Sequence, residues 1–513
     1  MNQFFNSLAT YNDVINTFVW TTLGLALLLF TGVLTTVLTK FFQVSHIGHW
    51  WKNTIGSLFN KDVIGHSKDK ASISPFQALC TARAATIGVG NIAGVAAAIC
   101  IGGPGAVFWM WVAAFFGMMT NYSENVLGIY YRRKNKDGEW SGGAMYYLQD
   151  GLGSKKGWKQ IGKILAILFS IFTLLASFGI GAMGQINKIV VNIESAFRID
   201  ALANIQLYEG VSVYSVVIGV ILVIIAGLIV LGGLKRIASF AEKVVPFMVV
   251  LFVAGSIIII GVNYDMIIPA LKAIFVTAFQ PVAVAGGVTG AIIKKVMVQG
   301  FKRGVFSNEA GLGSSVMVHS NSNIKEPVKQ GMWGIFEVFA DTMVVCTMTA
   351  LVVLTSGVYA DLYAPIGTYT NDATMVADAF NSVFSWGNLG SKFIAIAILL
   401  FAFTTVLGWD HYGTKAWEYL FGTKTVKVYK VIHLIMIMFG ALLTSSLAWD
   451  ISDTFNGLMM IPNLIGVIML SGTVMAITRN YIKRKISKNP QDIKPMLSAF
   501  EDIQTDAESN LDE

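Results

Sequence analysis

The chain has 513 residues, 54% hydrophobic and only 13% charged, with a mean hydropathy of +0.62 and a net charge of +7. That balance excludes a soluble domain wrapped in a charged surface and defines a polytopic membrane protein. Cys80, Cys100 and Cys346 lie singly in apolar segments, which excludes a disulfide framework or metal cluster, and the basic residues fall in loops rather than in one nucleic-acid patch.

The N-terminal MNQFFNSLATYNDVINTF lacks a positive n-region, and no cleavage pattern follows, so the first apolar run is read as a mature helix. A crossing needs about 20 mostly apolar residues. On that rule spans are expected at 16–40, 75–101, 104–131, 163–187, 210–233, 243–262, 267–293, 331–356, 391–411, 430–448 and 455–478, eleven in all. Of the 37 Lys and Arg, 32 fall in the alternate loops 40–73, 132–163, 235–243, 294–329, 415–430 and 479–494. The positive-inside bias therefore places the N-terminus outside and the C-terminus in the cytoplasm. The closing acidic stretch NPQDIKPMLSAFEDIQTDAESNLDE reads as a disordered tail.

The second span holds ATIGVGNIAGVAAAICIGGPGA at 85–106. Its G-x-G-x-x-x-G spacing, with no βαβ unit around it, is not a dinucleotide fingerprint. Gly90, Gly94 and Ala98 make a small-xxx-small stripe for close helix packing. Packing leaves Thr86, Gly88 and Asn91 unexplained, because polar groups at mid-depth need partners. An interruption of the helix accounts for them: freed amides at the start of the second half attract a carboxylate, and freed carbonyls at the end of the first attract a cation. Transporters built this way are inverted repeats, so a second interruption is expected, and VTAFQPVAVAGGVTGAIIKKV at 276–296 offers Pro281, Gly286 and Gly287.

Further along, Thr405 and Trp409 stand one helical turn apart on one face, with Trp409 read either as a pocket wall or as a lipid-interface anchor. Glu124, Glu337 and Asp341 are acidic residues at or near membrane depth, where such groups are paired or functional; for the last two, one turn apart, an ion pair with Arg83 or a loop lysine and a proton-coupling role are the two readings. Asn308 and Glu309 read as part of a cytoplasmic loop or gate. Six scattered histidines and no nucleophile with a base exclude a recognisable catalytic set.

Four stretches in order, ATIGVGNIAGVAAAICIGGPGAVFWMW, FKRGVFSNEAGLGSSV, EVFADTMVVCTMTALVVLTSG and FAFTTVLGWDHYG, make the chain resemble the alanine or glycine:cation symporter family from its first helix to about residue 480. The chain departs from the family pattern at Asn121, at Ala144 and in the AspHisTyr after Trp409. The resemblance implies an all-α, leucine-transporter-like fold with two broken helices. Residues 1–74 would form an extra helix and loop, 75–262 and 263–480 two inverted five-helix repeats, and 481–513 the tail.

It also implies sodium-coupled import of alanine or glycine by alternating access, with a proton-coupled symporter or a channel as alternatives. Substrate would lie against Thr86, Gly88, Gly90, Asn91, Phe178, Gln185, Gly286, Gly287, Thr405 and Trp409, and sodium against Ala84, Ile87, Phe401, Thr404 and Thr405. The expected partners are a small neutral amino acid, sodium and membrane lipid. No cofactor, catalytic residue or nucleic acid is expected, and the protein is expected to function as a monomer in the cell membrane.

Overall fold

The computed structural model describes residues 2–59, 72–208, 210–280, 289–369, 374–443 and 447–509. The long helices are α1 (Ala9–Leu38), α2 (Pro75–Thr86), α3 (Gly90–Gly102), α4 (Gly105–Tyr130), α5 (Lys159–Ala196), α6 (Val213–Val230), α7 (Gly233–Val262), α8 (Ile267–Phe279), α9 (Thr289–Asn308), α10 (Pro327–Thr355), α11 (Trp386–Phe421), α12 (Thr423–Leu442) and α13 (Asp450–Ile486). Among the described residues, eight helices are long and apolar enough to cross a membrane, and α2 with α3, bent by 57°, makes a ninth candidate. Strand is confined there to two short hairpins, 133–141 and 206–212.

Burial is arranged for lipid. Val217, Val220, Ile224 and Leu228 of α6 and Phe247, Val250 and Ile257 of α7 are exposed apolar side chains, whereas Thr120, Asn121, Ser123, Glu124 and Asn125 of α4 are buried. Helix α4 packs against α1, α8, α9 and α10, while α5 packs against α11 and α13, and α2 lies between α7 and α11. Polar residues therefore line the contacts between helices, where each can find a partner.

Local signals fix where α2 begins. Ser74 and Gln77 form a reciprocal capping box, at 3.1 and 3.2 Å, and Pro75 occupies the first turn, where its missing N–H costs nothing. Just before it, the Ile73 N–H donates to the Asn321 carbonyl and the Asn323 N–H to the Ile73 carbonyl, tying the entry of α2 to the segment after α9.

Three expectations change. Helix α9 runs to Asn308, so Lys294, Lys295, Lys302 and Arg303 lie on a helix instead of a cytoplasmic loop. Two are exposed on its first turns, and Lys302 pairs with Asp453 of α13 at 2.6 Å. The residues after α9 are not a surface loop either: 307–322 are buried throughout, with left-handed backbone at Glu309, Gly311 and Gly313 before a short helix, Val316–His319. Within the tail, residues up to 509 are tied to the bundle at several points instead of being disordered. Arg484 holds Glu326 through two bonds of 2.7 and 3.0 Å, Leu497 is buried, and the Ala499 N–H donates to the Tyr130 carbonyl.

Where α4 starts, a Cβ on Gly105 would lie 2.5 Å from the Thr277 carbonyl oxygen of α8, against backbone that cannot rotate away. Gly105→Ala is expected to destabilise the fold by about 1–3 kcal/mol, read as a lowered thermal unfolding midpoint of the purified protein in detergent.

Candidate functional site

The helical series of α2 ends when the Ile87 N–H donates to the Arg83 carbonyl at 2.8 Å. The next two amides turn elsewhere: Gly88 N–H donates to Asn91 Oδ1 at 3.1 Å, and Val89 N–H to Gln185 Oε1 of α5 at 3.4 Å. The carbonyls of Ala84 and Ala85 thereby lose the donors that a continued helix would supply. Glycine is needed here by contact as well as by conformation. A Cβ on Gly88 would lie 2.6 Å from Thr405 Oγ1, and one on Gly90 would lie 2.8 Å from the Phe306 ring. Gly94, by contrast, faces nothing within 4 Å, so of the two glycines in the expected packing stripe only Gly90 makes a close approach.

Facing this break is α11. Thr405 and Trp409 point to it from one face, and Trp409, 2% exposed in mid-helix, is a pocket wall and not an interface anchor. Its indole packs edge-on to Tyr412 at 5.3 Å. Gly181, in a π-helical turn of α5, passes so close that an added Cβ would be 2.5 Å from that of Trp409; Gly408 meets Ala85 of α2 in the same way. Further π-helical turns open α3 at Gly90–Gly94 and occupy α10 at Phe339–Cys346, where they touch each other. Such turns add a residue to a helix and recur at functional sites.

A second interruption joins the first from the end of α9, at 309–313, and not from 276–296 where the sequence placed it: the backbone turns left-handed at Glu309, Gly311 and Gly313, and Phe306 and Glu309 reach the cavity. Phe306 and Glu309, with Ala85, Thr86, Gly88, Gly90, Ile180, Gln185, Thr405, Trp409 and Asn456, enclose a cavity of about 10 Å³, the room of about one water. Six of the residues expected around substrate are thus brought together: Thr86, Gly88, Gly90, Gln185, Thr405 and Trp409. Asn91 is near but off the lining, and Phe178 stacks on Tyr429 of α12 at 5.5 Å. Gly286 and Gly287 lie outside the described residues. Asp410 and His411, the departure after Trp409, line a separate cavity of about 310 Å³ with Lys430 and Glu418.

Of the residues expected around sodium, Ala84 and Ile87 close α2, and Thr405 faces Gly88. The Thr404 and Thr405 hydroxyls both donate to the Phe401 carbonyl, at 2.9 and 3.0 Å, which leaves their lone pairs as acceptors. Thr404 is turned toward Met248 of α7.

Asn91 binds the break to its surroundings. Its amide donates to Ser307 of α9 at 3.0 Å and to Asp341 of α10 at 2.9 Å, and its carbonyl accepts from Thr349 at 2.8 Å. Ser307 also donates to Asp341. Arg83 on α2 stands 3.6 Å from the same carboxylate, so both sides of the break converge on Asp341. Glu337 is held by His319 and Asn121, each at 3.1 Å, and Glu124 by Asn463 at 2.5 Å.

Sequence reasoning missed Ile180, Phe306, Glu309 and Asn456. The available signal was the repeated spacing: Gly88-Val-Gly90 in one interruption has its counterpart in Gly311-Leu-Gly313 in the other.

Two interrupted helices meeting around a small buried cavity, inside a bundle of apolar helices, define a secondary transporter. The chain belongs to the sodium:alanine symporter family, whose sequence model matches residues 5–495, and as a member it is a transporter, not an enzyme. It is 40% identical to the sodium/alanine symporter AgcS of Methanococcus maripaludis, over 93% of this chain and 98% of that one. To the probable sodium/glutamine symporter GlnT of Bacillus subtilis it is 36% identical, over 96% and 94%. The crystal structure of MhsT in complex with L-phenylalanine superposes with a TM-score of 0.51 at 12% identity, over 80% of this chain and 99% of that one, which shows the shared leucine-transporter-like fold.

Gly88→Ala is expected to lower amino-acid affinity about 10–100-fold, the equivalent of 1–3 kcal/mol of overpacking. Gly94→Ala, with open space at its Cβ, is expected to bind as wild type. Isothermal titration of the two purified variants distinguishes them.

Proposed function

We propose that the protein is a sodium-coupled symporter that imports small neutral amino acids, alanine and glycine, by alternating access. The observation that carries this reading is the turning of the Gly88 and Val89 amides away from α2, which takes the helical donors from the Ala84 and Ala85 carbonyls at the end of α2 that lines the cavity with Thr405. Carbonyl and hydroxyl oxygens are suitable donors for a sodium ion. Ala84, Ile87, Phe401, Thr404 and Thr405 form its site, and Thr405 is shared with the substrate.

The amino acid binds on the other side of the break. Its carboxylate takes the N-terminal end of α3 at Gly90, where the helix dipole is positive, beside Gly88, whose lack of a side chain leaves the room. Thr86 and Gln185 add polar contacts, and the ring of Phe306 with the indole of Trp409 confines the side chain, which favours small substrates. Asn91 serves by holding the Gly88 N–H in place, and Phe178 by supporting α5 against α12. Substrate and ion together bridge α2 and α3 to α11, so that the site closes fully only when both are present, and one group of helices then rocks against the rest. The N-terminus lies outside and the C-terminus in the cytoplasm of the cell membrane, with the basic loops 40–73, 132–163 and 479–494 inside. The protein works as a monomer.

Uptake of labelled alanine, glycine and glutamine into proteoliposomes, with and without an inward sodium gradient, tests the reading. Saturable, sodium-dependent accumulation of alanine or glycine is expected; accumulation driven equally by a proton gradient in sodium-free medium would overturn sodium coupling. Asn91→Leu removes the acceptor of the Gly88 amide and is expected to abolish that uptake.

A further inference from the structure

We infer that the cavity of about 310 Å³ beside α11 is a second ligand site, separate from the helix break, and that it takes a zwitterion of the α-amino-acid class, Asp410 holding the ammonium end and Lys430 with Lys235 the carboxylate end. This site goes beyond the proposed central one and does not depend on it.

The cavity lies where one side of the bundle meets its loops. Its walls are the second half of α11, the turn into α7, the first residues of α12 and the 133–141 hairpin. All of these border the basic loops, which the charge bias places in the cytoplasm. Trp409 walls the cavity at the break, and the very next residue, Asp410, lines this one. A space of this volume has the room of a small-molecule pocket, whereas the central cavity holds about one water. Asp410 also belongs to the stretch where the chain departs from the family pattern, so the site is expected to be a property of this chain.

Several polar side chains of the lining are already matched. Lys415 Nζ donates to the Trp140 carbonyl, Ser141 Oγ and Glu418 Oε2 at 3.2, 3.1 and 3.0 Å, and Glu418 Oε1 accepts from Asn135 and Ser141 at 3.2 and 2.6 Å. His411 is joined to Asn321 at 3.3 Å. These contacts latch the hairpin and the segment after α9 to α11. Asp410 is left out of them: it is 1% exposed, and its Oδ1 has no hydrogen-bond partner. Thr414, one turn on and on the same face, carries a buried hydroxyl that also has none. A buried carboxylate oxygen without a donor is costly, and the donors it needs must come from an occupant. Lys430 acts on the Asp410 charge without forming an ion pair with it; its ammonium donates to the Val230 carbonyl at 2.8 Å and keeps further N–H groups. Lys235 is exposed on the same lining. A simple cation would answer Asp410 but not the lysines, and an anion would answer the lysines but meet the carboxylate. A zwitterion answers both: its ammonium donates to Asp410 Oδ1 and Thr414 Oγ1, and its carboxylate accepts from the lysines.

Isothermal titration of the purified full chain in choline chloride, without sodium, isolates this site, because the proposed central site needs sodium. Wild type is expected to bind L-alanine there, and to bind L-lactate and L-alaninamide, each lacking one charged pole, about 10-fold more weakly or worse. Asp410→Asn keeps the size and is expected to lose about 10–100-fold in L-alanine affinity. Thr414→Ala, which breaks no hydrogen bond of the hydroxyl within the protein, is expected to lose several-fold, and Gly88→Ala, altered only at the break, to bind as wild type. Absence of sodium-free L-alanine binding in the wild type would overturn the inference, as would unchanged binding in both Asp410→Asn and Thr414→Ala, or an equal loss in Gly88→Ala. L-alaninamide binding as well as L-alanine would make this a cation site, and L-lactate binding as well would make it an anion site; either result overturns the zwitterion assignment. Adding sodium then reports on the central site: no further binding event in the wild type would count against the proposed function and leave the second site standing.

Discussion

A peptide group inside a membrane has no water to turn to, and the architecture around Gly88 follows from that constraint. Once the chain leaves the helix at Ile87, the Gly88 and Val89 amides need acceptors, and two side chains supply them: Asn91 from the same segment and Gln185 from α5. Thr349 of α10 then donates to the Asn91 carbonyl. Three helices are thereby engaged in satisfying one short stretch of backbone. The Ala84 and Ala85 carbonyls lose their helical donors, and Ala85 lines the cavity; this asymmetry, amides satisfied by protein and oxygens without helical partners, is what makes the place suited to a cation.

Charge within the bundle is handled by the same logic. Arg83, Asp341, Asn91 and Ser307 form one connected group whose members come from both halves of the break and from α9 and α10. Burying such a group is costly unless every member is paired, so the group specifies one arrangement of four elements more strongly than apolar packing would. Glu337 with His319 and Asn121 does the same between α10, the short helix after α9 and α4. Asn121 marks a position where the chain departs from the family pattern, and its role here is that of a neutral donor to a carboxylate.

Much of the first interruption was legible in the sequence because its signals are local. Two glycines flanking one residue weaken a helix, and an asparagine one residue later supplies the acceptor that the gap requires. The pairing of Thr405 with Trp409 followed from helical spacing alone. The second interruption was harder to read. Helix α9 carries Lys294, Lys295, Lys302 and Arg303, so hydropathy made it a loop, and the pairing of Lys302 with Asp453, 151 positions away in the sequence numbering of the two residues, is a tertiary fact. Glu309 therefore reads from the sequence as part of a cytoplasmic loop or gate, and only the three-dimensional arrangement places it on one lining with Gly88. The tail misled for a similar reason: its composition is that of a disordered segment, yet Arg484 and Leu497 give it two anchor points.

The approach of Gly408 to Ala85 carries one more implication. Because Gly408 adds no side chain and Ala85 only a methyl group between α11 and the end of α2, the pair behaves like two flush plates: a small shift creates a thin gap too narrow for water, losing attraction with nothing gained in return. Partial separation is therefore the least favourable option, and this seam should snap between shut and wide open. A joint of that kind gives a carrier few leaky halfway postures.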